Sequence, residues 1–197
     1  MVWVKFRIEQ KRRWVVLVIR FLSDAGTPRA SAFVAVLAFS LALVAGPATA
    51  EHLDAPKGEV ILVVSGEIEL TNHPHEAHFD RAMLEEIGLE EIRTTTLWTE
   101  GQQVFEGVPL HRLVTYLKGD GGSLRVLALN DYAVEIPWEE ANAEGPILAI
   151  RNNGESLSVR DKGPVWMVYP YDAEEKFQNE VTYARSVWQL ERIEILP

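Results

Sequence analysis

The chain has no cysteine in its 197 residues. Disulfides, thiolate metal ligands and cysteine nucleophiles are therefore excluded. No phosphate-cradling glycine loop, Ser/His/Asp arrangement or paired-carboxylate signature occurs either. Thr94, Thr95 and Thr96 offer hydroxyls, but the sequence places no histidine base beside them, and threonine is common in strands. There is no internal repeat and no low-complexity tract. Basic residues are scarce after position 50: residues 51–197 hold 12 basic against 27 acidic side chains, a net of −15. Such a surface repels phosphate backbones and anionic lipid, so nucleic acid is not an expected partner.

What is present begins with an export signal. Ser31–Ala50 reads SAFVAVLAFSLALVAGPATA, uncharged, preceded by Arg29 and ending in Ala48-Thr49-Ala50. A basic flank, a short apolar run and a small-x-small end are the parts of a secretory signal peptide. The run is short for a span of roughly 20 apolar residues, so cleavage after Ala50 is expected to leave no stable membrane span; an uncleaved anchor is the alternative. Arg12-Arg13-Trp14 resembles a twin-arginine signal, but Arg20 interrupts the apolar patch that follows, and a start site further downstream accounts for the long basic stretch as well. Residues 1–50 are read as an N-terminal extension and signal peptide. Residues 51–197 are read as a single domain, large enough to bury a core. The expected location is periplasmic or otherwise exported.

Along the domain, Glu59–Leu70 is rich in β-branched residues and predicts a strand pair or one bent strand. From Glu76, the residues Phe79, Met83, Leu84 and Ile87 recur at helical spacing up to Gly88. Ile92–Leu97 predicts a strand. Phe105–Pro109 predicts a turn into a helix whose apolar face is Leu110, Leu113, Val114 and Leu117. Strands are predicted at Leu124–Leu129, Tyr132–Ile136, Ile147–Ile150, Ser156–Val159, Val165–Tyr169 and Val187–Leu196, with a helical turn at Glu139–Ala143. Asn152-Asn153-Gly154 supplies the positive φ of a tight hairpin. Asp172–Thr182 is polar and predicts a loop. Helices and strands do not alternate strictly, which indicates α+β: a mixed sheet with a few short helices.

Several ordered blocks resemble the molybdopterin-binding domain of the sulfite-oxidase superfamily. They are Phe105-Glu106-Gly107-Val108-Pro109-Leu110, the Asp131-Tyr132 turn with Ile136-Pro137, Gly145-Pro146-Ile147-Leu148-Ala149, Asn153-Gly154-Glu155-Ser156-Leu157, and Asp161-Lys162-Gly163-Pro164 through Val168-Tyr169-Pro170. The resemblance covers roughly a hundred residues and implies a sulfite-oxidase-like fold. It also implies a pterin dithiolene cofactor holding molybdenum, a cysteine thiolate on the metal, and basic residues on the pterin phosphate. Carried over residue by residue, the ligand position falls in Thr94–Leu97, best on Thr95. The family histidine before Gly-x-Pro falls on Asp161, a family arginine on Trp166, and the lysine-rich closing strand on Val187-Trp188-Gln189-Leu190. An anionic cofactor gains nothing from Asp161. Arg160, Lys162 and Arg185 remain as anion contacts or as surface salt bridges.

Two further groups stand out. His73, His75 and His78, beside Glu76 and Asp80, have spacings that can converge on a transition metal, with His75 and His78 on one helix face. A surface turn explains the same residues. The tryptophans and tyrosines are mostly core formers, and a subset can line a pocket for a flat or apolar ligand.

The resulting expectation is an exported domain of this fold without molybdenum catalysis, and no enzyme. It binds a small molecule or a membrane-associated protein partner through the former cofactor cleft. Thr95, Trp98, Tyr132, Arg160, Asp161, Lys162, Trp166 and Trp188 bound that cleft. No catalytic residue and no cofactor are expected. The alternatives are a molybdopterin-dependent oxidoreductase with a non-cysteine metal environment, and a metal-binding protein built on the histidines.

Overall fold

The computed structural model describes residues 52–197. The extension, signal peptide and cleavage site read at 1–50 lie outside the described residues. Two five-stranded sheets share one hydrophobic core. The first comprises β1 (Val60–Gly66), β2 (Glu76–Asp80), β5 (Ser123–Ala128), β6 (Ala133–Pro137) and β10 (Leu190–Leu196), in the order β2-β1-β10-β5-β6. The β1–β10 pair is parallel and the others are antiparallel. The second has β3 (Glu90–Thr94), β4 (Gln103–Pro109), β7 (Ile147–Asn152) and β8 (Glu155–Ser156) in that order, and β9 (Trp166–Val168) also pairs with β7.

The alternation of side chains explains the first sheet. Leu62, Val64, Ala77, Phe79, Leu124, Val126, Ile193 and Ile195 all point inward and are buried. Their neighbours Glu76, His78, Arg125, Arg192 and Glu194 form the opposite, polar face, as period-two patterning requires. β7 is buried on both faces, from Ile147 to Ile150, and sits in the middle of the second sheet.

Among the described residues three short helices complete the fold: α1 (Arg81–Ile87), α2 (Leu110–Tyr116) and α3 (Glu180–Arg185). The helix predicted from Glu76 begins five residues later. Residues 76–80 are instead an edge strand, because Ala77 and Phe79 are inward at period two. Asp80 then caps α1, its carboxylate accepting from the Met83 N–H at 2.9 Å. Phe105–Pro109 is strand, not turn, and the chain passes directly from β4 into α2. The loop predicted at Asp172–Thr182 holds a 3-10 turn and the start of α3. Asn179 caps that helix, accepting from the N–H groups of Val181 and Thr182 at 3.0 Å each.

The hairpin at Asn153-Gly154 has the anticipated geometry, with φ of 52° and 81°. A half-buried ion pair of Glu140 with Arg185 ties the 3-10 turn Trp138–Glu140 to α3, and the Tyr169 hydroxyl donates to the same carboxylate at 2.8 Å. No helix among the described residues is long and apolar enough to cross a membrane.

Candidate functional site

A cavity of about 260 Å³ opens where the β5–β6 turn, the loop after β3, and the segment between α3 and β10 meet. Trp98, Tyr132, Tyr183 and Trp188 form its walls, with Ala128, Ala184 and Val187 between them. Asn130 and Ser186 also line it, and no acidic or basic side chain does.

Trp98 is the hub. Its ring meets Trp188, Trp166, Tyr183 and Tyr171 edge-on, at centroid distances of 5.5, 5.9, 6.1 and 6.4 Å. Such T-shaped pairs contribute about 0.5–1.5 kcal/mol each beyond area burial, so the ring is held firmly. Its loop is held as well. Thr96 Oγ1 accepts from the Trp98 N–H at 3.0 Å and bonds to Thr99 Oγ1 at 2.8 Å. Thr95 donates from both its N–H and its hydroxyl to the Asp172 carboxylate, at 2.7 Å each.

The opposite walls are tied down in the same manner. The Tyr132 hydroxyl donates to the Ala184 carbonyl at 2.9 Å, joining the β5–β6 turn to α3. Gln189, at φ 51°, donates from its N–H to the Lys162 carbonyl and from its side chain to the Val159 carbonyl, at 2.8 Å each, which fixes the neighbouring Trp188. Ser186 is already committed. It accepts from the Tyr171 hydroxyl at 2.5 Å and donates to the Thr182 carbonyl at 2.7 Å. Burial pushes the Tyr171 hydroxyl up to about 12, so it remains a donor at ordinary pH.

Of the eight residues assigned to the cleft, Trp98, Tyr132 and Trp188 line this cavity. Trp166 does not. It is 1% exposed, packed between Phe105 and Trp98, and its indole N–H has no hydrogen-bond partner. Thr95 is exposed and bound to Asp172. Arg160, Asp161 and Lys162 belong to the 3-10 turn Val159–Asp161 and its cap, outside the lining. Asp161 accepts from the Ser158 hydroxyl at 2.6 Å, and the Lys162 ammonium lies 5.7 Å from the Trp166 ring centroid. Arg185 is the salt-bridging residue of the Glu140 pair. Sequence reading missed Asn130 and Ser186, and reached Tyr183 only as one of the aromatics of which a subset could line a pocket. Tyr183 and Ser186 are both set by α3, and the Asn179 cap followed by Glu180 was the available signal for that helix.

These residues do not fit a molybdenum pterin. The position read for the metal ligand carries a hydroxyl bonded to a carboxylate, in a chain without a soft sulfur donor of the cysteine kind. The cavity lining offers no cation to a phosphate.

His78 lies on the first sheet's edge strand, β2, and His73 and His75 on the turn that leads into it. His73 and Glu76 bridge across a two-residue turn in which His75 takes φ 61°. His73 Nδ1 lies 3.7 Å and His78 Nε2 2.6 Å from Glu76 Oε2, and the two rings stack with centroids 4.4 Å apart. The three donor atoms lie within 4.8 Å of one another. The turn carries His75 away from this group, and the helix face imagined for His75 and His78 does not exist, because residues 76–80 are strand.

No protein-family model matches the chain, and no curated protein matches it in sequence. Among solved structures it is similar to the sulfane dehydrogenase SoxCD from Paracoccus pantotrophus, at 17% identity and a TM-score of 0.51. The match covers 73% of this chain and 40% of that one, so this chain spans less than half of that structure's length. At such identity the likeness concerns the fold alone. The chain has the sulfite-oxidase-like molybdopterin-binding fold, a mixed α+β architecture, and has it without a cysteine.

Proposed function

We propose that this protein is an exported, non-redox ligand-binding form of the fold. It takes a small, flat, uncharged molecule between Trp98, Tyr132, Tyr183 and Trp188. The observation that carries this reading is the lining itself: four aromatic rings and no charged side chain. Apolar walls with few polar groups are the usual make-up of small-molecule sites. The volume of about 260 Å³ lies just below the ~300–1,000 Å³ of sites for drug-sized ligands, which favours one fused ring system. Export is supported by the signal-like segment at residues 31–50.

The test has two arms. The untagged chain is purified from a host that makes molybdopterin and assayed for molybdenum and pterin. Its tryptophan emission is then titrated with indole and with an unphosphorylated oxidised pterin. Saturable quenching by either compound, weakened about tenfold or more in Trp188→Ala, supports the proposal. Molybdenum and pterin near one per chain overturn it, as does quenching that Trp98→Ala and Trp188→Ala leave unchanged.

A further inference from the structure

A second group of side chains, at the start of β2 and independent of the aromatic pocket, brings two imidazoles and a carboxylate together. We propose that His73 Nδ1, Glu76 Oε2 and His78 Nε2 bind one divalent first-row transition ion of the copper or zinc type. The donor set of two imidazoles and a carboxylate is the kind such ions take. The donors all lie within 4.8 Å of one another. An ion about 2.0–2.2 Å from each requires donors roughly 3–3.5 Å apart. His73 and Glu76 are already 3.7 Å apart, so small rotations suffice there. His73 is 57% exposed and free to make them. The His78–Glu76 contact, 2.6 Å, is a hydrogen bond, so the ion takes the place of its proton and His78 binds through Nε2 as the tautomer that carries its hydrogen on Nδ1.

The backbone under these donors is locked before any ion arrives. His73 and Glu76 exchange N–H···O bonds at 3.1 and 3.2 Å across the turn. Asn72 clamps His78 from both sides, accepting from its N–H and donating to its carbonyl, at 2.8 Å each. Arg192 donates to Glu76 Oε1 at 2.7 Å, which turns Oε2 toward the imidazoles. This is the part that outer partners play around metal ligands. Arg192 also sets the selectivity. Its charge offsets that of the carboxylate, so a hard ion held mainly by charge, such as magnesium or calcium, gains little. An ion that bonds to imidazole nitrogen retains its main attraction. Three protein ligands leave one tetrahedral position for water or for a donor from another molecule.

The full chain, without a histidine tag, is titrated by calorimetry with copper(II), zinc(II) and magnesium(II) chlorides. One copper or zinc ion per chain is expected, with no magnesium binding. His73→Ala, His78→Ala and Glu76→Gln should each weaken binding by more than the ~10–100-fold that losing an outer partner costs. His75→Ala and His111→Ala should leave it unchanged. The copper spectrum by electron paramagnetic resonance should show two nitrogen ligands in the unaltered chain, a readout that needs no variant to fold. The proposal is overturned by the lack of saturable copper or zinc binding. Loss of affinity in His75→Ala equal to that in His78→Ala, or binding that survives the double change at His73 and His78, would overturn it too. Ligand titrations at the aromatic pocket are unaffected by any of these results.

Discussion

At the scale of single residues, Asp80 does more than cap a helix. Its carboxylate accepts from Met83 N–H at 2.9 Å and from the Lys57 and Gly58 N–H groups at 2.8 Å each, with 4% of its surface exposed. These bonds, led by that from Met83, hold its pKa below the ordinary value. Asp80→Ala removes a cap and strips two more donors of their acceptor. The expected loss is about 2–3 kcal/mol by urea unfolding at pH 7. The sign of the pH effect follows from the depressed pKa. The carboxylate's contribution is complete above the ordinary aspartate value of about 3.9 and is lost as pH falls through the lower, folded value. The stability gap between the unaltered chain and Asp80→Asn should therefore be widest above the ordinary aspartate value and narrow steadily as pH falls below it.

At the scale of elements, β4 and β7 approach so closely that only glycine fits between them. A Cβ on Gly107 would stand 2.1 Å from the Leu148 carbonyl oxygen and 2.5 Å from Ala149 Cα, both backbone atoms. Gly107→Ala must therefore separate the two strands, and should cost about 3 kcal/mol or prevent folding, measured by urea unfolding or by soluble yield. The glycine in the Phe105–Leu110 block was legible as a motif, while its reason lies in this pairing. Much of the fold was legible in the same way: the alternation in β5, β6 and β10, the apolar face of α2, and the Asn153-Gly154 turn all carry local signals. The misreading at Glu76 came from a pattern that fits two periods. Phe79, Met83 and Ile87 fit helical spacing, but Ala77 and Phe79 also fit a strand, and pairing with β1 decided between them. The pocket was half legible. Trp98, Tyr132 and Trp188 were named, whereas Trp166 lies beneath Trp98, a depth that no one-dimensional pattern reveals.

At the scale of the whole molecule, a ligand that binds only the folded state stabilises it by mass action. At a hundred times its dissociation constant the gain is about 2.7 kcal/mol. For a domain of this size the melting temperature should then rise by about 5–11 °C, read by a thermal scan with and without the pocket ligand. A saturating ligand that produces no rise in the unaltered chain would not be occupying the folded pocket. The order of the strands bears on how the molecule comes to exist. The last strand, β10, lies between β1 and β5 and is the sole link between the two halves of its sheet. A nascent chain that has not yet produced residues 190–196 can form hairpins at either side but cannot join them. The first sheet can therefore be completed only after residues 190–196 have been made, whereas the strands of the second sheet are all synthesised by Val168.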